Sequence, residues 1–169
     1  MSIFNEAEKV ETVSQADAGI AEEYSQRMKS GANWFYWVAA LSLVNSVIVL
    51  TGGKWNFIVG LGVTQLIDGF MQVLSGHEGS FSAFSLIALM LDVVVAGVFA
   101  LFGFFGGRGS IAMFIIGMIL YVLDALIYLL VGDWLAMGFH AFALFFMGKG
   151  LLAAFEYRSA KGAATAVQP

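Results

Sequence analysis

The sequence has no cysteine and a single proline, Pro169, at its C-terminal end. The absence of cysteine excludes disulfides, thiolate metal ligands and a cysteine nucleophile. Because no proline lies inside the chain, no helix should carry a proline kink. Charged residues are also scarce, at 12% of the sequence against about 25% in soluble domains. With 60% hydrophobic residues, the composition is typical of a protein whose main solvent is lipid.

Charge is unevenly distributed along the chain. Residues 1–31 carry six acidic and three basic side chains, whereas residues 32–155 carry eight charged side chains in all. We therefore predict an acidic N-terminal tail over 1–31, a transmembrane domain over 32–155 and a flexible C-terminal tail over 156–169. The N-terminal tail is expected to be helical, either as a solvated helix or as a helix that docks on a partner. The acidic balance excludes nucleic acid as a partner.

Five apolar segments, each about as long as a spanning helix, are separated by short groups of glycine, serine and charged residues. They lack the alternation of transmembrane β-strands. The sequence therefore predicts an all-α, polytopic helical bundle with about five spanning helices, at about 32–51, 55–75, 81–106, 110–131 and 134–155.

A weak internal repeat relates two of the connections. Gly53-Lys54-Trp55 matches Gly132-Asp133-Trp134 at an offset of 79 residues. If the repeat is real, helices 1–2 and helices 4–5 form an inverted pair around a third helix, as in many transporters. The restricted alphabet of apolar segments also generates such matches by chance, and both interpretations stay open.

Two segments carry a resemblance to known proteins. The stretches Gly31-Ala-Asn-Trp-Phe-Tyr-Trp37 and Asp133-Trp-Leu-Ala-Met-Gly-Phe-His140 resemble those of a family of small, multi-span bacterial inner-membrane proteins with no assigned function. The resemblance extends over the membrane region. It implies a location in the bacterial cytoplasmic (inner) membrane and supplies no function.

Three aspartates lie deep inside the apolar segments. A carboxylate at the bilayer centre costs at least ~2.5 kcal/mol, so such residues are usually paired or functional. Counting residues along five alternating spans places the aspartates and one histidine at a similar depth, towards the side of the N-terminal tail. Helical spacing puts polar or phenolic neighbours on the same faces, which should point inward. The candidate intramembrane polar site is Asp68, Asp92, Asp124, His140, Tyr121 and Gln65.

The chemistry of this candidate site has three interpretations. The aspartates either form hydrogen bonds that only hold the helices together, or they bind a proton, ion or solute. A metal held by the three carboxylates and His140 is a weaker third alternative, because no helix has the paired E-x-x-H spacing of di-metal bundles. No motif of a hydrolase, metalloprotease or phosphate-binding loop is present. We therefore predict no catalytic residue, no cofactor and no enzymatic activity.

Two classes of function follow. The first expectation is a non-catalytic accessory or scaffold membrane protein, and the alternative is a small transporter or proton- or ion-conducting protein that uses the intramembrane aspartates. The expected partners are the lipid bilayer and either a second copy of the chain or another membrane protein. Basic residues beside the first span favour a cytoplasmic N-terminus, whereas the sum over five spans favours the reverse.

Overall fold

The computed structural model of the protein describes residues 2–52, 60–75 and 82–166. These residues form five α-helices and no strand, so the predicted all-α bundle is confirmed. The helices are α1 (Ser2–Leu50), α2 (Gly62–Leu74), α3 (Ala83–Gly106), α4 (Ile111–Val131) and α5 (Trp134–Ala166).

Four of the five helices are long and apolar enough to cross a membrane, namely α1, α3, α4 and α5. Helix α2 has 13 residues, or about 20 Å, which is shorter than the ~30 Å hydrocarbon core of a bilayer. The second predicted span, 55–75, is helical from Gly62 onward, and residues 53–59 lie outside the described part of the chain. Within that part, the structure thus has four spanning helices rather than about five, plus one short helix.

Helix α5 runs antiparallel to α1. Gly31 of α1 lies against Gly150 of α5, and one turn further along α1 the ring of Trp34 stacks on Phe146 at 5.0 Å. The residue number therefore rises in α1 while it falls in α5. The close approach of the two glycines is the small-residue contact that brings membrane helices together.

Helix α3 is also antiparallel to α1, whereas α4 is parallel to it. Phe35 packs against Phe99 and Phe102 of α3 and against Phe114 of α4, with ring centroids 5.8–6.5 Å apart. Further along α1, Ser46 interacts with Asp92, which precedes those phenylalanines in α3. Aromatic rings thus fill the core between three spanning helices.

We name the two ends of the bundle by the chain that lies there. The tail side is the end where α3 passes into α4, because Gly109 of that connection lies against Met28 and the rest of the N-terminal tail extends beyond it. The far side is the end where α1 stops at Leu50 and α4 stops at Val131. Because the four long helices alternate in direction, Ser2 and Ala166 both lie on the tail side.

Helix α2 begins inside the bundle. The backbone N–H of Leu61, the residue before α2, donates to the Ser42 hydroxyl at 2.7 Å. Ser42 lies eight residues before Leu50, which is about 12 Å from the far-side end of α1. Asp68, midway along α2, faces Ser46 and so lies closer to the far side. α2 is therefore a half-helix that starts at mid-depth and runs back to the far side.

This path does not produce the inverted repeat. An inverted pair requires α1 and α4 to run in opposite directions, but both run from the tail side to the far side. The reason is that α2 turns back instead of crossing, which reverses the direction of each later helix relative to the prediction. The sequence match between Gly53-Lys54-Trp55 and Gly132-Asp133-Trp134 therefore does not correspond to an inverted pair of helices.

Helices α1 and α5 both continue past the bundle on the tail side. The tail and the first span form one uninterrupted helix, and Met28 is buried together with Ala153 and Ala154 of α5. Helix α5 reaches Ala166, so residues 156–166, part of the predicted C-terminal tail, are helical. Tyr157 packs against the hydrophobic core, and the stretch is rich in alanine, which favours helix.

The contact between Gly31 and Gly150 gives a stability prediction. A Cβ built at Gly150 would lie 2.6 Å from the Cα of Gly31, so Gly150→Ala should push α1 and α5 apart and destabilise the fold by about 1–3 kcal/mol. Gly97→Ala is the matched control, because nothing lies within 4 Å of a Cβ at that position. Unfolding by SDS in mixed micelles measures both variants. Equal stability of the two would contradict the tight contact.

Candidate functional site

The N-terminal end of α2 is capped by side chains of other helices. Its own flanking residue, Leu61, offers no side-chain cap. Instead, the Asp124 carboxylate of α4 accepts two hydrogen bonds, from the N–H of Gly62 at 2.8 Å and of Val63 at 2.9 Å. Ser42 accepts from the Leu61 N–H. Backbone donors in a bilayer must be satisfied inside the protein, and these contacts satisfy three of them.

Glycines allow the start of α2 to approach its neighbours. A Cβ at Gly60 would lie 2.5 Å from the Nδ2 of Asn45, and a Cβ at Gly62 would lie 2.9 Å from the ring of Tyr128. The Tyr128 hydroxyl also donates to the Gly60 carbonyl at 3.2 Å. Larger residues at either position would move the half-helix away from α1 and α4.

His140 of α5 completes the contacts of Asp124. Its Nδ1 lies 2.9 Å from the Ala136 carbonyl, and its Nε2 lies 3.0 Å from the Oδ2 of Asp124. A carbonyl only accepts, so Nδ1 carries a hydrogen, and the contact between Nε2 and Oδ2 then requires a second proton between them. Both side chains are buried, at 0% and 5% exposure, and each has hydrogen-bond partners, as buried polar groups require.

Aromatic rings enclose the histidine. Tyr121 stacks on the His140 ring at 4.4 Å, and the ring of Tyr128 lies 5.0 Å away. Gln65 approaches the Tyr128 hydroxyl from α2. We name Ser42, Asp124, Tyr128 and His140 the capping cluster. Both Asp124 oxygens have donors, so the geometry gives this carboxylate a structural role.

A second polar group lies further along α2. Asp68 of α2 and Asp92 of α3 face each other, with the hydroxyl of Ser46 beside them. Asp68 is six residues beyond Gly62, which places the two aspartates about 9 Å from the start of the half-helix. We name Asp68 and Asp92 the carboxyl pair.

Asp92 differs from Asp124 in its surroundings. It is fully buried and forms no hydrogen bond of normal length with the described residues, and its carboxyl group interacts with Ser46 and Asp68. Asp68 is 7% exposed. Two carboxyl groups that face each other in an apolar medium cannot both be ionised cheaply. A proton or small cation held between them would remove the repulsion.

A multivalent metal fits this arrangement less well. The described residues contain no group of three or more histidine, cysteine, aspartate or glutamate side chains that could hold a metal ion. The weaker sequence interpretation, a metal held by three carboxylates and His140, is therefore not matched in the described part of the chain. Asp124 and His140 bond to each other and to the backbone instead.

The structure divides the predicted site into two. Asp124, His140, Tyr121 and Gln65 surround the start of α2, whereas Asp68 and Asp92 form the separate carboxyl pair. The sequence analysis predicted that these residues lie towards the tail side. That prediction was wrong, because both groups lie towards the far side. The reason is again that α2 does not cross.

Two site residues were missed by sequence reasoning. Ser42 and Ser46 of α1 are both buried and contact the start of α2 and the carboxyl pair, respectively. Their spacing of four residues within an apolar segment places them on one helix face. That spacing was the available signal, because polar side chains on one face of a membrane helix point to the bundle interior.

The fold and the site are those of a multi-pass α-helical membrane protein with a half-helix packed inside the bundle. Comparisons of the chain with models of protein families, with curated proteins and with solved structures give no match.

Proposed function

We propose that the protein binds and moves a proton or a small monovalent cation across the membrane, with the carboxyl pair as its binding site. The observation that supports this proposal is the complete burial of Asp92 opposite a second carboxyl group, that of Asp68, with the Ser46 hydroxyl beside them. Ionisable residues inside a membrane pair with one another, and such pairs occur in ion pathways and proton relays. The activity is non-catalytic and needs no cofactor.

Movement of the half-helix α2 provides a way for the carboxyl pair to take up and release a proton or cation. Asp68 is on α2, which is anchored at its start by the capping cluster, while Asp92 is on the spanning helix α3. A small displacement of α2 changes the separation of the two carboxyl groups without breaking a spanning helix. Discontinuous helices are also a common feature near the substrate and ion sites of transporters.

The distribution of basic residues supports an orientation. With four crossings, the tail side carries most lysine and arginine residues near the membrane, whereas Lys54, which lies outside the described residues, follows the far-side end of α1 in the sequence. Basic residues mark the cytoplasmic side. We therefore propose that both chain ends are cytoplasmic, in the bacterial cytoplasmic membrane that the sequence resemblance implies. The tail-side residues are Arg27, Lys29, Arg108, Lys149, Arg158 and Lys161.

Reconstitution tests the proposal. Purified wild-type protein in proteoliposomes should dissipate an imposed gradient of H⁺, Na⁺ or K⁺ faster than protein-free liposomes do, and one of the three ions should be preferred. Internal fluorescent indicators for each ion report the rate. Wild-type vesicles that match empty liposomes for all three ions would reject the proposal.

An accessory or scaffold function is the second proposal. The observation that favours it is the extension of α1 and α5 beyond the bundle on the tail side. The acidic side chains Asp17, Glu22 and Glu23 are exposed there, which suits a partner protein with a basic surface. Under this proposal the wild-type vesicles show no flux, and the carboxyl pair only joins α2 to α3.

A further inference from the structure

A basic pocket lies between α1 and α5 on the tail side. It has a volume of about 180 Å³. Two cationic side chains, one from each helix, meet there with a serine hydroxyl, a glycine backbone and an aromatic ring. The lining residues are Arg27, Ser30, Gly31, Phe146 and Lys149.

The pocket lies at the level where the bundle leaves the membrane. Gly31, which lines it, is next to Ala32, and Ala32 lies against Gly107 of the connection between α3 and α4. A connection between two spanning helices marks the membrane surface. Charged groups in the pocket are therefore at the depth of lipid headgroups.

An aromatic surface continues from the pocket towards the bilayer. Phe146 stacks on Trp34, and Trp34 contacts Phe142 edge to face at 5.5 Å. Phe142 is 49% exposed to the surroundings of the bundle. The groove between α1 and α5 thus has a cationic end at the surface and an apolar end in the membrane, which matches the shape and polarity of a phospholipid.

The charges that face the pocket favour an anion. Arg27 pairs with the carboxylate of Glu23 at 3.9 Å, and both side chains are more than half exposed. An exposed ion pair of this kind is weak, so a phosphate group can replace the carboxylate. The Lys149 ammonium group lies 5.6 Å from the ring of Phe145, and Lys149 lines the pocket.

We propose that this pocket binds the phosphate group of an anionic phospholipid of the tail-side leaflet. Arg27 and Lys149 pair with the phosphate and the Ser30 hydroxyl donates to it, while an acyl chain lies along Trp34 and Phe142. Basic pockets between membrane helices recognise anionic headgroups in this way. The site is distinct from the carboxyl pair and independent of the proposed ion movement.

Lipid titration of the full-length protein tests the proposal. The protein is purified in zwitterionic micelles, and its thermal unfolding is followed while phosphatidylglycerol, phosphatidylcholine or inorganic phosphate is added. Phosphatidylglycerol should stabilise the wild type, and the other two should not. The double variant Arg27→Gln/Lys149→Gln should bind phosphatidylglycerol more weakly by about fivefold for each cation removed.

Two further variants separate the pocket from general surface charge. Lys29→Gln/Arg158→Gln removes two tail-side cations that do not line the pocket and should retain wild-type affinity. Lys149→Arg keeps the charge and should also bind, which covers the case in which the double variant does not fold. Equal weakening in both double variants would overturn the proposal. Stabilisation by inorganic phosphate as strong as that by phosphatidylglycerol would overturn the assignment to a lipid.

Discussion

Asp92→Asn is expected to abolish proton or cation flux in proteoliposomes while leaving the folded state intact. Asparagine has nearly the same shape as aspartate but cannot ionise, so the carboxyl pair loses its capacity to hold and release a cation. Asparagine keeps one oxygen and the size of the side chain that faces Asp68 and Ser46, so the substitution removes the charge with little change in packing. Flux assays and SDS unfolding on the same preparation measure the two effects.

The matched control is Asp133→Asn, at the far-side start of α5. Asp133 caps that helix by accepting from the Ala136 N–H at 3.0 Å, and asparagine caps a helix about as well as aspartate. The same chemical change outside the carboxyl pair should leave flux unchanged. If Asp92→Asn retains wild-type flux, Asp92 has no part in ion movement.

Asp124→Ala is expected to have the largest effect on stability. Alanine leaves the N–H groups of Gly62 and Val63 without an acceptor and removes the partner of His140 Nε2. Each buried donor left without a partner costs about 1–3 kcal/mol. We therefore expect a loss of roughly 3 kcal/mol or more, with α2 detached from α4. The free energy of unfolding in SDS measures the loss.

Two comparisons make this prediction specific. Asp124→Asn should be intermediate, because the amide oxygen can accept one of the two backbone bonds while the amide nitrogen faces the other donor. Asp133→Ala removes a capping carboxylate at the exposed start of α5 and should cost about 1 kcal/mol. Equal losses for Asp124→Ala and Asp133→Ala would show that Asp124 does not hold the half-helix.

The helical class and the inward faces could be predicted from the sequence, because they depend on local spacing. Gly117, Tyr121, Asp124 and Tyr128 recur on one face of α4, and all four are buried. Lipid offers no hydrogen bonds, so a face with two tyrosines and an aspartate can point only to the interior. Length and hydropathy likewise identified α3 and α4 as helices that can span a membrane.

The half-helix could not be predicted in the same way. The segment 55–75 has the length and hydropathy of a crossing helix, and its glycines Gly60 and Gly62 are equally compatible with small residues inside a span. What holds the start of α2 at mid-depth is Asp124, 62 residues later in the chain. A long-range contact of this kind leaves no local pattern, and its omission reversed the direction of every helix that follows.

Thiol labelling most directly tests whether α2 returns to the far side without crossing the membrane. Because the chain has no cysteine, single-cysteine variants are simple to interpret. Asp17→Cys, Arg108→Cys and Asp133→Cys are all at exposed positions. In sealed, oriented vesicles, a membrane-impermeant maleimide should label positions 17 and 108 from one side and position 133 from the other. Labelling of positions 17 and 133 from one side and 108 from the other would mean that the second segment crosses the membrane, and would contradict the carboxyl pair and the half-helix together.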